Sequence, residues 1–394
     1  MSLLTQLVNL FFSQRRGEID FFMQHPARVQ QQQLERLLTQ AGGTVFGRDH
    51  GFGKIRTSEA YAAAVPVADY DSFSEYIGRT RTGEQNVLWP TEIKWFAKSS
   101  GTTSAKSKFI PVSDEGLSGC HLRGPMDVIC FFAGLYPKSG VFGGRTLTLG
   151  GSHRLESTGG RAQEGDLSAI LIENTPKWAS WRRTPRPETA LIPDFEEKVQ
   201  AICREAVPQR VTSFAGVPSW NLVLMNRVLE YTGKQNILEV WPEMELFVHG
   251  GMNFNPYREQ YRRIFPSDTM KYMETYNASE GFFAIQDDPS RDDMLLMLDY
   301  GVYYEFLPVS DLGDPSKAVP LEGVKQGVNY AMIISTSNGL WRYQIGDTVE
   351  FTSLAPYKIK ITGRTKHFIN AFGEELIIDN AETALQAACA ATGA

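Results

Sequence analysis

The chain is 394 residues long, 42% hydrophobic and 11% aromatic, enough to bury a large core and to build more than one compact unit. Its formal net charge is −6 and its pI about 5.7, and this mildly acidic balance argues against general nucleic-acid or anionic-membrane binding, which need basic patches. The cysteines Cys120, Cys130, Cys203 and Cys389 lie far apart with no CxxC or HxxxH spacing, which speaks against a disulfide framework or structural zinc and for a reducing compartment.

Residues 1–12 are apolar, but Arg15 and Arg16 follow that run instead of preceding it, so it reads as an amphipathic helix docked on the body and not as a signal sequence. No uncharged apolar stretch approaches the length of a membrane span, and a soluble, cytoplasmic protein is expected. The first ninety or so residues carry helical spacing, as at Val29, Leu34, Leu37 and Leu38. Residues 92–97 read as a strand that runs into the polar loop Lys98-Ser99-Ser100-Gly101-Thr102-Thr103-Ser104. A helix follows from Asp114, the candidate cap. Residues 146–149 and 167–172 look like short strands, 194–206 like a helix capped by Asp194, and 221–231 like another helix. From Glu245 the pattern turns to strands: 246–248, ending at His249-Gly250-Gly251, then 282–285, 294–298, 303–307 and 330–335. Alternating helices and strands followed by a strand-rich tail predict an α/β body with a smaller sheet or barrel. After Gly363-Arg364 the remaining chain is shorter than the roughly 50 residues a second folded domain takes.

Three stretches carry candidate chemistry. In Ser99 to Ser104 a strand delivers hydroxyls, a glycine and successive amides into one turn, which suits a polyphosphate, with Lys106 and Lys108 adding charge. On composition alone an ordinary Ser/Thr-rich surface loop remains open, and neither GxxxxGK[ST] nor GxGxxG occurs. In Thr275-Tyr276-Asn277-Ala278-Ser279-Glu280-Gly281 a tyrosine can stack on a purine, a serine can bond a phosphate and a glutamate can hold Mg²⁺ through a hard oxygen. Asp347, after Gly346 and expected at a strand end, can accept both hydroxyls of a ribose, although an Asp-containing turn is common between strands.

Taken in order, Ser99-Ser100-Gly101-Thr102-Thr103, Tyr276-Asn277-Ala278-Ser279-Glu280, Tyr343-Gln344-Ile345-Gly346-Asp347 and Gly363-Arg364 resemble the adenylate-forming enzymes, and most closely the auxin-responsive Gretchen Hagen family of acyl-acid amido synthetases. Tyr303-Tyr304-Glu305-Phe306-Leu307-Pro308 and Ser337-Asn338-Gly339-Leu340-Trp341-Arg342-Tyr343 support the resemblance, which runs from about residue 90 onward. It implies an α/β fold: a large adenylate-forming N-terminal domain of mixed sheets flanked by helices (residues 1–364, with a β-rich subdomain at about 282–362), then a hinge and the start of a truncated C-terminal mobile domain (365–394). It implies ATP and Mg²⁺ as cofactors, with a small carboxylic acid and an amine, an amino acid, as substrates.

By the resemblance, Ser99, Ser100, Gly101, Thr102, Thr103 and Ser104 would hold the ATP phosphates. Gly250 and Gly251 would line the adenine or acyl pocket, Tyr276 would face the adenine, Ser279 would touch the phosphate, Glu280 would bind Mg²⁺, and Ala278 would belong to the same cofactor-binding stretch. Asp347 would hold the ribose, and Arg364 and Lys366 would mark the hinge. Thr102 and Glu280 carry the catalytic assignment. Ala105 stands where the family often has glycine, and the family's catalytic lysine belongs to the C-terminal domain. The implied reaction forms an acyl-adenylate and pyrophosphate, then passes the acyl group to the amine without a protein nucleophile, consistent with the lack of a GxSxG elbow. The rival readings are an acyl- or aryl-CoA synthetase and a nucleotide-binding protein without turnover. For the acyl pocket, His121, Arg123, Phe131 and Phe132 are candidates, as are Trp178, Trp181 and Arg182, each with a structural role as the alternative.

Overall fold

The chain passes between two units more than once. A computed structural model describes residue 8 and residues 10–99, 107–151, 156–157, 162–365, 368–371 and 374–377. Unit 1 takes the chain up to Ile19 and residues 121–156 and 163–291, whereas unit 2 takes 20–120, 157–162 and the chain from Asp292 onward.

The helical spacing near the start becomes the unit 2 helices Pro26–Ala41, Ser58–Ala64 and Tyr70–Arg81. The first buries Val29, Leu34, Leu37 and Leu38 on one face. Thr57 and Asp69 cap the other two by accepting from the amides of Ala60 and Ser72. Strands β1 (Trp95–Ser99) and β2 (Lys108–Val112) form an antiparallel hairpin with Ser99 opposite Lys108. The next helix is capped one residue earlier than expected, by Ser113 and not Asp114. Ser113 Oγ accepts from the Gly116 N–H at 2.9 Å and donates to Ser337 O at 2.7 Å. A hydroxyl can do both, and an ionised carboxylate only accepts. A π-helical turn, Leu117–His121, then leads into the helix Arg123–Leu135.

In unit 1, β3 (Arg145–Thr148), β4 (Arg183–Thr184), β5 (Val211–Gly216), β6 (Leu246–Gly250) and β7 (Lys271–Ala278) run parallel in the order β7-β6-β5-β3-β4. Strand β8 (Gly281–Ile285) returns antiparallel beside β7. Helices Phe195–Ala206, Pro218–Thr232 and Arg258–Ile264 precede β5, β6 and β7, the crossovers that parallel pairing requires. Their apolar faces and the sheet share a core in which the Phe214 and Phe247 rings stack 4.1 Å apart beside Trp241, Phe254 and Tyr261. Residues 167–172, expected as a strand, instead form the helix Leu167–Glu173 and bury Ala169, Ile170 and Ile172. A short apolar run fits a buried strand or a buried helix equally well, so periodicity could not separate them. Arg15 is not a surface charge: its Nη2 meets Asp127 Oδ2 at 2.6 Å in the same unit.

Back in unit 2, β9 (Met294–Leu296), β10 (Val302–Pro308), β11 (Val319–Pro320), β12 (Asn329–Thr336), β13 (Tyr343–Leu354) and β14 (Tyr357–Arg364) form an antiparallel array in the order β11-β10-β12-β13-β14-β9. Gln30, on the first helix of the unit, fastens to this array: its Nε2 donates to Leu298 O and Val302 O, and its Oε1 accepts from the Tyr304 N–H at 2.9 Å. The parallel sheet with crossover helices and the strand-rich array are the mixed α/β architecture the sequence predicts. Among the described residues no helix is long and apolar enough to cross a membrane.

Candidate functional site

The expected site residues divide between the units. Unit 1 holds Gly250, Gly251, Tyr276, Ala278, Ser279 and Glu280, all at one end of its parallel sheet. In open α/β sheets the carboxyl ends of the strands are where ligands bind. Strands β6 and β7 pair with Gly250 opposite Thr275. A Cβ at Gly250 would lie 2.4 Å from Thr275 O, 2.9 Å from Thr275 Oγ1 and 3.2 Å from Asn277 Oδ1, so close strand packing alone forbids a side chain there. Gly251 differs, since it needs glycine for its φ of +81° while its nearest neighbour, Val217 Cγ2, is 3.4 Å from where a Cβ would be.

Ala278 pairs with Gly281, so Ser279 and Glu280 form the tip of a tight hairpin between β7 and β8. Hairpin tips normally face water, yet Glu280 is only 6% exposed. Tyr276 is 3% exposed, its ring 5.0 Å from that of Phe283, whereas Asn277 between them is exposed. Asn277 was assigned no role from the sequence, and the alternation of a strand would have flagged its opposite face.

Unit 2 holds Ser99, Asp347 and Arg364. Ser99 ends β1, and Ser100, Gly101, Thr102, Thr103 and Ser104 lie outside the described residues, as do Ala105, Lys106 and Lys366. Asp347 lies inside the twelve-residue strand β13 and not at a strand end. It sits in an irregularity: Gln344 pairs with Ile333 and Thr348 with Ala331, so Ile345, Gly346 and Asp347 together oppose Met332 alone. Such a bulge re-aims side chains, and Gly346 reaches it with φ +96°. Across the strand Asp347 faces Arg364, whose Nε is 2.9 Å from Asp347 Oδ1. Arg364 therefore belongs with the carboxylate, a contact the sequence reading did not foresee.

The acyl-pocket candidates fare unevenly. His121 is 2% exposed, its Nε2 has no partner, and burial pushes its pKa down to about 4. Arg123 donates to Glu18 at 2.9 Å and Arg182 to Gly144 O at 2.8 Å, while Trp181 is 71% exposed. Phe132 is buried and Phe131 half-buried. Cys130 and Cys203 are buried, with thiols raised to about 11 by that burial, which leaves them unsuited to nucleophilic work.

Comparison with known proteins decides the lineage. The family model described as the GH3 family N-terminal domain matches residues 15–197 and 161–270, and that of the GH3 family central domain matches 295–364. The chain belongs to the GH3 family. The likeness thus begins well before the residue 90 suggested by the motifs. Among GH3 relatives, the jasmonoyl--L-amino acid synthetase JAR4 of Nicotiana attenuata is 23% identical, over 84% of this chain and 68% of its own. The indole-3-acetic acid-amido synthetase GH3.4 of Arabidopsis thaliana is 21% identical, over 85% of this chain and 66% of its own. The solved structure of AtGH3.15 acyl acid amido synthetase in complex with 2,4-DB superposes with a TM-score of 0.76 at 17% identity, covering 91% of this chain and 71% of that one. A 2-hydroxyisobutyryl-CoA ligase in complex with 2-HIB-AMP and CoA matches with a TM-score of 0.58 at 14% identity, over 91% of this chain and 79% of its own. The GH3 fold is therefore the adenylate-forming fold, as the sequence resemblance implied.

Proposed function

We propose that the chain binds Mg-ATP, activates a small carboxylic acid as its acyl-adenylate with release of pyrophosphate, and transfers the acyl group to the amine of an amino acid, with AMP as the leaving group. It is a ligase of the adenylate-forming kind, as its GH3 membership carries with it. The observation that carries the site assignment is the bulge that takes Asp347 out of the β12 ladder and sets its carboxylate beside Arg364. A carboxylate so aimed has the acceptor sites for both ribose hydroxyls.

In unit 1 the tight hairpin brings the Ser279 hydroxyl and the Glu280 carboxylate to adjacent positions at the end of β7, next to the strand that carries Gly250 and Gly251. Glu280 suits Mg²⁺, which takes one or two carboxylates and completes its shell with phosphate oxygens and water. Among the described residues no three acidic, His or Cys side chains are grouped so as to hold a metal ion, so a metal bound through Glu280 would need the nucleotide's own oxygens. Bound there, the ion would neutralise phosphate charge as the carboxylate of the acid attacks. The loop from Ser99 to Ser104, with Thr102 at its centre, would add amides and hydroxyls to the phosphates. Transfer to the amine needs only a held acyl-adenylate and an amine freed of its proton, so no covalent protein intermediate enters.

Calorimetric titration with AMP and Mg-ATP tests this. Asp347→Ala should weaken AMP binding by at least about tenfold, as loss of a charge-assisted pair of hydrogen bonds implies. Unchanged affinity in a folded variant would remove the ribose assignment. Supplying amino acids or coenzyme A and identifying the product separates the amide-forming reading from a thioester-forming one.

A further inference from the structure

Two stretches that the sequence marks without giving them work, around Glu305 and around Arg342, meet in unit 2 at a buried ion pair. Arg342 Nε lies 2.9 Å from Glu305 Oε2, both side chains 5% exposed. Arg342 Nη1 also donates to Ala62 O at 2.9 Å and Val65 O at 2.8 Å. These are carbonyls at the C-terminal end of the helix Ser58–Ala64, where no intrahelical donor remains and a cation is favoured. The backbone is held as well: the Arg342 N–H donates to Ser335 Oγ at 3.0 Å, a hydroxyl that itself lies 2.7 Å from the Tyr61 hydroxyl. The Ala68 N–H donates to Arg342 O, and the Gln344 N–H to Ala68 O.

Arg342 has φ +44°, left-handed backbone that side chains with a Cβ rarely adopt. Stability alone does not explain such investment, because a buried ion pair can usually be replaced by apolar side chains without loss. What a guanidinium adds is direction, since its fixed fork holds several acceptors in one geometry. The element so directed is the start of β13. Downstream of Gln344 the ladder to β12 is interrupted until Thr348, and Asp347 lies in that gap. On the β12 side its placement is therefore set from the ends of the gap, of which Arg342 secures the upstream one, while on the β14 side Asp347 pairs with Arg364 and the Thr365 N–H donates to Gly346 O at 2.8 Å.

We propose that Arg342, oriented by Glu305, is the positioning residue that aims the Asp347 carboxylate at the nucleotide ribose. This rests on the ribose role of Asp347. The test is AMP affinity of the whole chain, with thermal melting alongside, for Arg342→Lys, Glu305→Gln, Asp347→Ala and the apolar pair Arg342→Met with Glu305→Leu. Lysine keeps the charge but cannot span Glu305 and both carbonyls, so AMP affinity falls about tenfold. Glu305→Gln, whose amide oxygen still accepts from Nε, stays within about threefold. The apolar pair, which also strips the Ala62 and Val65 carbonyls of their donor, melts somewhat lower, yet below its melting temperature it binds AMP about tenfold more weakly, a loss in the folded protein that a merely structural ion pair would not produce. If folded Arg342→Lys or the apolar pair binds AMP as the wild type does while Asp347→Ala has lost it, the positioning role is overturned and the ribose assignment stands. If Asp347→Ala itself binds normally, the ribose assignment fails and the positioning role goes with it.

Discussion

An added methyl group at Gly124 would have its carbon 2.3 Å from the Phe282 ring, which follows the Ser279–Glu280 hairpin by two residues. The ring belongs to a strand and cannot simply swing away, so Gly124→Ala should cost about 1–3 kcal/mol, the range for overpacking a filled core. Because the displaced strand is the one that Glu280 leads into, turnover should fall by more than the melting temperature explains. Gly53, with nothing within 4 Å of its Cβ position, is the control, and Gly53→Ala should leave melting and activity alone. The same scale shows why parts of the site escaped the sequence. Asp347 was recognisable by its neighbours, but its ion pair with Arg364, seventeen residues on, depends on the register between β13 and β14 and on the shifts within it, which no local pattern encodes. Glu280 was legible as a candidate, whereas its burial at a hairpin tip was not.

Among the elements, capping gives a comparison. Asp194 accepts from the Glu197 N–H at 2.7 Å on an exposed helix end, and Asp194→Ala should cost about 1 kcal/mol because water takes over the amide. Ser113 caps a buried turn, and its hydroxyl also satisfies Ser337 O, so Ser113→Ala should cost more, about 2 kcal/mol, by leaving two groups without partners. Thermal melts of the two variants side by side check the order. The helix at 195–206 could be read from its Asp194 cap and apolar spacing, most of the helix at 218–232 could be read over 221–231 without a cap, and strands β6, β8, β10 and β12 could be read from their dense apolar runs. The helix at 167–173 could not, since seven residues give less than two turns in which a period can show. Ser113 was missed for another reason: its neighbour Asp114 is as good a cap by residue type, and the choice was made by Ser337, far along the chain.

For the molecule as a whole, two buried histidines tie stability to pH. Burial pushes His121 down to about 4 and, with the Arg258 charge adding to it, His249 down to about 3, against 6.5 when exposed. Both are neutral in the folded chain and take up protons on unfolding. Their contribution is complete above pH 6.5, is lost as pH falls toward the folded values, and levels off below them. At pH 5 each withdraws about 2 kcal/mol. Melting between pH 7 and pH 5 should show this decline, and His121→Leu should remove about half of it.

The path of the chain has a consequence for how the protein is made. Gln30 finds Tyr304, and Tyr61 finds Ser335, only after a separation of 274 residues, with most of unit 1 between them. At translation speeds of about 5–20 residues per second the first helices wait roughly 15–55 s for their sheet. Throughout that interval the nascent chain presents Leu34, Leu37 and Leu38 to solvent and to chaperones, while unit 1 can close as soon as β8 leaves the ribosome. Birth order in this protein is thus the reverse of position: the segment that emerges early matures last, and any message cut short before Asp292 yields helices without the sheet that buries them.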